Sequence, residues 1–436
     1  MHSLQPPLLD FNEFFALDES DRLVLVLQTI KAEHLLRVLD GPHDAGPCGY
    51  PARVLWSALL AGIVYRLPGV AELRRHLRTN PYLRYVCGIT SGATIPSEPT
   101  FSRFLDRLVQ HADLLDACGA ELVRRFAALA PGFGEDVAGD SADIHAYARG
   151  KKTGAADPDA TWSAKGSKEG HTKRSGKQSP PTRATTSPGE KKGKDADKYW
   201  WFGYKLHLLV DAHYEIPIAA TVTTAKEADT TELRPLLDKR DALLPDTPLR
   251  RCWADAGYDS AANIRAILER GGIPLIPLNP GNEKSPPGIT TTLGTPLCPD
   301  GLPMLYWGRD GHYLKYRCPE KSGQLCCLRQ HAATDRCSLS PYGLVVKLNM
   351  RDDPRRYVPV PRETKKCARL YKGRTAIERV NGRLKDDLIL DELRVRGLAK
   401  VRVRVGLNLL VMLAIAVAMA ERNRLKDCRR LLTCVA

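Results

Sequence analysis

The stretch "LRRCWADAGYDSAANIRAILERGGIPLIPL", residues 249–278, decides the fold class. Its first apolar run ends at Asp255, and Gly257 marks a turn directly afterwards. The next segment has the apolar spacing of an amphipathic helix, with Asp259 or Ser260 as its N-terminal cap and a double glycine at its end. "IPLIPL" then has the pattern of a second buried strand. A strand, a helix and a strand in this order predict an α/β fold.

The sequence upstream adds more strands to this sheet. "YKLHLLVDAHYEIPIAATVT", residues 204–223, predicts two apolar strands joined by a turn at residues 211–215. "EDVAGDSADIHAYA", which contains Asp140, is the candidate first strand. A hairpin followed by a strand, a helix and a strand implies a mixed α/β sheet.

The N-terminal part has a different pattern. Residues 20–130 place apolar residues at three- and four-residue spacing, which predicts a mostly helical region. One of these helices is expected to begin with Ser97 as N-cap and Pro99 in its first turn. A short helix that carries Thr100, Ser102 and Arg103 after a turn suits DNA reading, as in helix-turn-helix modules, or plain helical packing.

The charge of the chain is strongly uneven. The 436 residues include 65 Lys and Arg and 50 Asp and Glu, for a net charge of +15. Residues 149–198 carry +7 and residues 351–405 carry +9, so the remainder is close to neutral. Clustered basic residues favour a polyanion such as nucleic acid, because binding it releases counterions. The alternative is that each cluster is only a solvated face.

Two regions interrupt the pattern of helices and strands. Residues 149–198 are rich in Lys, Ser, Gly and Pro and predict a mobile basic loop, apart from "DPDATW", whose Trp162 could dock on the fold. Residues 279–365 predict a β-rich insertion. The other prominent tryptophans, Trp200, Trp201 and Trp307, are expected to be core residues rather than stacking platforms for bases.

The insertion holds a set of cysteines that could bind zinc. Four thiolates would complete a tetrahedral Zn²⁺ site, but there is no Cys-x-x-Cys pair, and buried free thiols fit the pattern equally well. The set is Cys298, Cys318, Cys326, Cys327 and Cys337. Because no secretory signal is evident at the N-terminus, a disulfide framework is not expected.

Residues 405–420 form the longest apolar run, and it falls short of the ~20 residues that span a bilayer. This run therefore predicts a buried helix. Without a signal or a spanning segment, the protein is expected in the cytoplasm.

The segment "YKGRTAIERVNGRLK", residues 371–385, surrounds one carboxylate with cations. On a continuous helix, Tyr371, Arg374, Glu378 and Lys385 would project within a wedge of about 60°. A neighbouring apolar stripe would attach the helix to a core: Ile377, Val380, Leu384 and Leu388. Taken alone, Glu378 is explained by an i, i+4 ion pair with Arg374 worth a few tenths of a kcal/mol.

Two further carboxylates change this interpretation. Asp255 ends a predicted strand and Asp140 lies on another. Strand-end carboxylates with one on a packed helix, beside a basic surface, suit phosphoryl transfer by two divalent metal ions, which need oxygen ligands. The cations near Glu378 would then hold phosphates.

Tyr371, Arg374, Glu378 and Lys385 match at fixed spacing the Tyr-Arg-Glu-Lys signature of a group of bacterial insertion-sequence transposases of the DDE class. "WADAGYDS" resembles the second-aspartate motif of that family, and "GDSADIHAYA" its first-aspartate strand. The resemblance extends over residues ~45 to ~425, apart from the basic loop.

The resemblance implies a ribonuclease H-like catalytic core with a β-rich insertion, preceded by an all-helical N-terminal domain. The expected domains are a helical, DNA-binding domain at residues 1–130, a catalytic domain at residues 131–425 and a C-terminal tail at residues 426–436. The mobile loop at residues 149–198 and the insertion at residues 279–365 belong to the catalytic domain.

By the same resemblance, Asp140, Asp255 and Glu378 would be the catalytic residues and the ligands of two Mg²⁺ ions, with Mn²⁺ as a substitute. The reaction would be hydrolysis at the ends of the insertion sequence, followed by attack of the freed 3′-hydroxyl on target DNA. Gly139 precedes Asp140 where the family usually has an apolar strand residue, and Asp136 and Asp143 are nearby alternatives for the first ligand.

Tyr371, Arg374 and Lys385 would contact the double-stranded DNA of the element ends. A homodimer or a higher assembly on DNA is expected, since two ends must be brought together, and the protein would be nucleoid-associated. Two other functions fit the same residues. One is a DNA-binding protein without catalysis that derives from a transposase, and the other is a metal-dependent nuclease without strand transfer.

Overall fold

A computed structural model of the chain describes residues 21–41, 49–90, 94–150, 156–167, 198–282, 290–323 and 337–431. A helical N-terminal region precedes a region in which helices and strands are mixed. The predictions of a mixed α/β fold and of a helical N-terminal region are therefore confirmed.

The N-terminal region contains seven helices within the described residues. They are α1 (Arg22–Thr29), α2 (Glu33–Asp40), α3 (Ala52–Val64), α4 (Val70–Thr79), α5 (Pro81–Val86), α6 (Glu98–Gln110) and α7 (Ala112–Leu129). Ser97 accepts a hydrogen bond from the Thr100 amide and Pro99 lies in the first turn, so α6 begins as predicted. Its apolar face buries Phe101 and Phe104 completely.

The main sheet has six strands. They are β1 (Asp136–His145), β2 (Thr161–Ser167), β3 (Lys198–Asp211), β4 (Pro217–Thr224), β5 (Arg251–Trp253) and β6 (Ile273–Leu275). The long strand β3 runs antiparallel to β1, β2 and β4. Strand β5 runs parallel to both β1 and β6. The order β4, β3, β1, β5, β6 therefore places β1 at the centre, where the antiparallel and parallel halves meet.

Helices make the parallel connections. Helix α8 (Leu233–Leu243) precedes β5, and helix α9 (Ala261–Glu269) joins β5 to β6. Ser260 caps α9 by accepting a hydrogen bond from the Asn263 amide at 3.1 Å, which decides between the two caps that the sequence allowed.

One helix forms the centre of the hydrophobic core. Helix α12 (Leu398–Glu421) contacts α1, α7 and β4, and it confirms the buried helix predicted for residues 405–420. It is long and apolar enough to cross a membrane, but 83% of its most apolar window is buried inside the protein. Its one polar core residue, Asn408, donates a hydrogen bond to the Leu388 carbonyl at 2.7 Å.

The insertion contains a second, smaller sheet. Strands β7 (Leu305–Asp310), β8 (Tyr313–Arg317) and β9 (Val345–Asn349) pair antiparallel, in agreement with the predicted β-rich segment. Its inner face has its own core, in which Leu314 and Tyr316 are 1% exposed.

The cysteines of the insertion do not form a complete metal site among the residues that the structure describes. Cys298 and Cys318 are buried thiols, whereas Cys326 and Cys327 lie outside the described ranges. Nowhere in those ranges do three His, Cys, Asp or Glu side chains come close enough to hold a metal ion.

The predicted basic loop includes a strand. Residues 151–155 and 168–197 lie outside the described ranges, but Thr161–Ser167 forms β2, so the prediction of a loop was wrong there. Trp162 docks as the sequence allowed, with its ring 5.5 Å from that of Phe202. The reason is tertiary, because β3 is long enough to offer a free edge to this segment.

Candidate active site

Two of the predicted acidic residues each lie two residues beyond the last pair of the neighbouring parallel strands β1 and β5. Ala138 of β1 pairs with Trp253 of β5, so Asp140, two residues further on, comes level with Asp255. Asp255 follows the carboxyl end of β5, the edge where α/β sheets commonly place ligand-binding groups. The sheet register therefore brings together two carboxylates that are far apart in sequence.

Both side chains are oriented by the local backbone. Asp255 accepts a hydrogen bond from the Gly257 amide at 2.9 Å, and this contact opens the short 3₁₀ turn Ala256–Tyr258. Asp140 accepts one from the Ser141 amide at 2.8 Å. These bonds engage the Oδ1 atom of each carboxylate.

The segment that carries Glu378 is a series of short helical pieces, and one of the breaks includes Gly373. Helix α10 (Lys365–Tyr371) ends in a 3₁₀ turn, Lys372–Arg374, before α11 (Thr375–Gly382), which passes into a π-helical turn, Arg383–Asp387. The apolar stripe is nevertheless buried as predicted, since Ile377 and Val380 are fully inaccessible.

The 3₁₀ turn packs directly on β5. Trp253 Nε1 donates a hydrogen bond to the Leu370 carbonyl at 2.8 Å, and its ring lies against Gly373. A Cβ atom at Gly373 would come within 2.8 Å of two ring carbons of Trp253. Only glycine permits this approach. The start of α11 is therefore packed against Trp253, two residues before Asp255.

Gly373→Ala should therefore shift this turn away from β5. We expect a loss of about 1–3 kcal/mol in the free energy of unfolding and roughly a tenfold or greater loss of any catalytic rate that depends on Glu378. Urea unfolding and a DNA cleavage assay measure the two effects. Gly382→Ala is the matched control because a Cβ there meets no atom within 4 Å, and it should be neutral or slightly stabilising. Equal behaviour of the two variants would contradict the packing argument.

Arg374 connects two of the acidic residues. Its Nη1 lies 3.6 Å from Asp140 Oδ2, and its Nη2 donates a short hydrogen bond to Glu378 Oε1. The i, i+4 pair expected from sequence is present, but the same guanidinium also reaches β1. Asp140 and Glu378 therefore share one cation, although the acidic side chains have not converged into a three-residue metal cluster in the described ranges.

Tyr371 lies among the same groups. Its hydroxyl donates a hydrogen bond to the Ala254 carbonyl at 3.4 Å. Burial raises the pKa of Tyr371 to about 12; Arg374 opposes this shift, while the carboxylates of Asp255 and Asp140 add to it. The phenol is therefore neutral at physiological pH and adds a hydrogen-bond donor to an acidic site.

Lys385 lies apart from these groups. Its Nζ is 3.3 Å from Asp143 Oδ1 and 3.3 Å from Asp391 Oδ1. Burial lowers the pKa of Lys385, but the two aspartates outweigh burial and the net shift is upward. Lys385 lies in the π-helical turn, so the rotation of 100° per residue assumed for a continuous α-helix does not hold as far as this residue.

The alternatives to Asp140 each have a basic partner of their own. Asp136 accepts two hydrogen bonds from Arg251 at the start of β1. Asp143 is engaged by Lys385, whereas Asp140 Oδ2 lies 3.6 Å from Arg374 Nη1.

Sequence reasoning missed Asp229, a carboxylate beside the Asp255 turn. Asp229 accepts a hydrogen bond from Lys205 Nζ at 3.0 Å, and a Cβ on Gly257 would lie 3.6 Å from its Oδ2. Burial and the charges of Asp229 and Asp140 raise the pKa of Tyr258 in the same turn. Asp229 lies in no motif, so only the fold reveals this position.

The other side of α11 is anchored by a second missed acid. Glu215, in the turn between β3 and β4, is 4% exposed and accepts hydrogen bonds from Arg379, Arg383 and Arg429. Its φ of 57° lies in the left-handed region, which non-glycine residues rarely adopt. Three arginines thus hold one buried carboxylate and fix α11 to the hairpin.

The fold and the site define a class of protein. Acidic side chains meet at the carboxyl edge of a mixed sheet in a strongly basic chain, an arrangement suited to a protein that processes nucleic acid.

Comparisons with known proteins give the family. Residues 159–414 match the family model described as "Transposase DDE domain", and residues 12–107 match "Transposase domain (DUF772)". Because the first match covers more than half of the chain, the protein belongs to the DDE transposase family of insertion sequences, as its signature residues predicted. This match begins after β1, so it includes Asp255 and Glu378 but not Asp140.

A shorter likeness agrees with the family. Over 79 residues the chain is 40% identical to a Burkholderia cepacia protein named as a transposase for insertion sequence element IS402. The matched part is 17% of this chain and 37% of that protein. The chain thus spans little more than a third of the curated relative that it matches.

Proposed function

We propose that the protein is an active DNA transposase, which cleaves DNA at the ends of its insertion sequence and joins those ends to target DNA. One observation carries the proposal: Asp140 lies level with Asp255, and Arg374 contacts both Asp140 and Glu378. This arrangement supports a single site formed by Asp140, Asp255 and Glu378.

The strand order supports a ribonuclease H-like core. Strands β4, β3 and β1 form an antiparallel half, and β5 and β6 extend it in parallel through α8 and α9. This strand order is consistent with the arrangement that the family resemblance implies. Of the proposed ligands, Asp140 is on β1, Asp255 follows β5, and Glu378 is on α11.

The proposed cofactors are Mg²⁺ ions, with Mn²⁺ as a substitute, held by Asp140, Asp255 and Glu378. The donors are carboxylate oxygens, which these hard cations prefer, and the Arg374 guanidinium already places a positive charge between Asp140 and Glu378. When bound, such ions activate a water or a 3′-hydroxyl and stabilise the leaving oxygen.

The remaining signature residues serve DNA binding in this proposal. Tyr371 donates a hydrogen bond from a neutral phenol, and Arg374 and Lys385 bind phosphates of the element ends. Lys385 must first leave Asp143 and Asp391. DNA binding by Lys385 is therefore coupled to a rearrangement of this ion-pair cluster.

The partners are double-stranded DNA of the element ends and of the target. We assign end binding to the helical region at residues 1–130 and propose a homodimer or higher assembly on DNA, since two ends must be joined. The complex would act on the nucleoid in the cytoplasm.

A strand-transfer assay tests the function. Purified protein, Mg²⁺ and a plasmid carrying the flanking ends should yield cut donor and products joined to a second plasmid. Cutting without joined products would contradict the transposase and identify a nuclease. Binding without cutting would identify a non-catalytic DNA-binding protein.

Arg374→Gln should strengthen the binding of Mn²⁺ to the DNA-free protein. The guanidinium occupies the space between Asp140 and Glu378, so its removal frees both carboxylates and removes a repelling charge. We expect affinity to rise roughly 3- to 10-fold, the equivalent of about 1 kcal/mol for a partly exposed ion pair. Titration followed by electron paramagnetic resonance measures the free Mn²⁺.

The matched control is Arg369→Gln, which removes the same charge from an exposed position on α10 and should leave Mn²⁺ affinity unchanged. Weaker Mn²⁺ binding by Arg374→Gln would show that Arg374 holds the carboxylates in place instead of competing with the ion.

A further inference from the structure

The outer face of the insertion sheet differs from the rest of the surface. Along β8, Leu314 and Tyr316 turn inward and are buried, so Tyr313, Lys315 and Arg317 occupy the opposite face. On β9, Val345 pairs with Arg317 and Lys347 pairs with Lys315. The outer face is therefore built of aromatic, aliphatic and basic residues.

Exposed apolar side chains concentrate here. In the described part of the chain, ten large hydrophobic residues are strongly exposed, and five of them belong to this face and the loop before β9. They are Trp307 (61% exposed), Tyr313 (47%), Leu339 (91%), Tyr342 (64%) and Val345 (46%). Such a concentration marks an interaction surface rather than scattered surface variation. The expectation that Trp307 is a core residue was wrong, whereas Trp201 is buried as expected.

Two of the aromatic rings are held by one cation. The Arg317 guanidinium lies 3.9 Å from the centroid of the Trp307 ring and 5.3 Å from that of Tyr342. These contacts orient both rings while leaving more than half of each side chain accessible. Trp307 itself sits at a bulge in β7, which turns it out of the regular pairing with β8.

The charge of this face is positive. Lys315, Arg317 and Lys347 contribute three cations, and the carboxylate of Asp310 lies 2.9 Å from Lys315 Nζ. A face that combines oriented rings with an excess of cations is complementary to a strand that carries both phosphates and exposed bases.

We propose that this face, formed by Trp307, Tyr342, Arg317 and Lys347, binds unpaired nucleotides of a DNA strand. Bases stack on Trp307 and Tyr342, and Lys347 contacts phosphate. In a duplex the base faces are covered by their neighbours, so exposed rings add affinity only for unpaired nucleotides. Binding of a duplex would require only the basic residues, so it would not explain why the aromatic rings are exposed.

The inference goes beyond the proposed function, because it involves neither the three carboxylates nor any metal. Its test uses the full chain in EDTA, where no cleavage can occur. The probe is a fluorescein-labelled oligothymidylate, compared with a duplex of the same length by fluorescence anisotropy. Loss of cleavage and loss of single-strand binding are therefore measured separately.

Trp307→Ala should weaken binding of the oligothymidylate roughly 5- to 100-fold, the range that corresponds to ~1–3 kcal/mol per stacked base, while duplex affinity changes less than about twofold. Tyr342→Ala should act in the same direction, and Trp307→Phe should restore most of the affinity because it keeps an aromatic face. Since the Trp307 side chain is mostly exposed, thermal unfolding should not change.

The charge contribution has its own control. Lys347→Gln should reduce the salt dependence of single-strand binding by about 0.7, the slope expected for one phosphate contact. Arg265→Gln, an equal charge change at an exposed position on α9, should leave that slope unchanged.

Equal oligothymidylate affinity for the wild type and Trp307→Ala would overturn the proposal. It would also be overturned if Trp307→Ala instead converted a dimer into a monomer in sedimentation velocity, because the face would then contact a second copy of the chain.

Discussion

Glu378→Gln is expected to abolish metal-dependent nicking of a plasmid that carries the element ends, by roughly 10³-fold or more, while DNA affinity stays within about twofold. The substitution keeps the shape of the side chain but removes the charge that would hold a divalent ion. Metal ions contribute several kcal/mol to such reactions, and each 1.36 kcal/mol is a factor of ten in rate. Nicking is measured by the conversion of supercoiled plasmid, and affinity by anisotropy.

Asp255→Asn and Asp140→Asn should lose nicking to a similar degree. Glu269→Gln, an acid on the exposed side of α9, serves as the control and should cleave at the wild-type rate. Cleavage by Glu378→Gln equal to that of the wild type would refute the assignment of this site. If Asp143→Asn lost nicking activity while Asp140→Asn retained it, the first metal ligand would be Asp143 instead of Asp140.

Glu215→Gln is the second substitution with a large expected effect, and its effect is on stability. The carboxylate is buried and accepts hydrogen bonds from three arginines. Burial lowers the pKa of Arg383, and Glu215 opposes that shift. Without the charge of Glu215, the largely buried guanidinium of Arg383 would remain charged but would lose its main carboxylate partner. We expect the free energy of unfolding to fall by about 3 kcal/mol, measured by urea unfolding at neutral pH.

Arg429→Gln provides the comparison for Glu215→Gln. The Arg429 side chain is 43% exposed, so solvent screens its ion pair, and we expect a loss below about 1 kcal/mol. Equal losses for the two variants would show that the carboxylate is stabilised mainly by solvent-exposed contacts. Because Arg379 lies on α11 and Arg383 follows it directly, loss of the Glu215 anchor should also displace Glu378.

Only some contacts of the site residues could be predicted from the sequence. The pair of Arg374 and Glu378 was predictable because it depends on a single helical turn. The contact of Arg374 with Asp140 was not, because it depends on the register between β1 and β5 and on the packing of Gly373 against Trp253. The contacts of Lys385 with Asp143 and Asp391 were not predictable, because no local rule reveals the π-helical turn that carries Lys385.

The sequence by itself determined the features that arise from nearby residues. These include the N-cap at Ser97, the turn at residues 211–215 and the buried helix at residues 405–420, since periodicity and capping act within a few residues. The signature spacing likewise identified the family.

The tertiary structure decided which distant groups meet. It brings Asp140 close to Arg374 and places Lys385 between Asp143 and Asp391. It also surrounds the buried carboxylate of Glu215 with arginines. It also exposed Trp307, which hydrophobicity alone had assigned to a core. Burial and pairing between distant segments depend on sheet register and helix packing, which are properties of the whole chain and leave no local pattern.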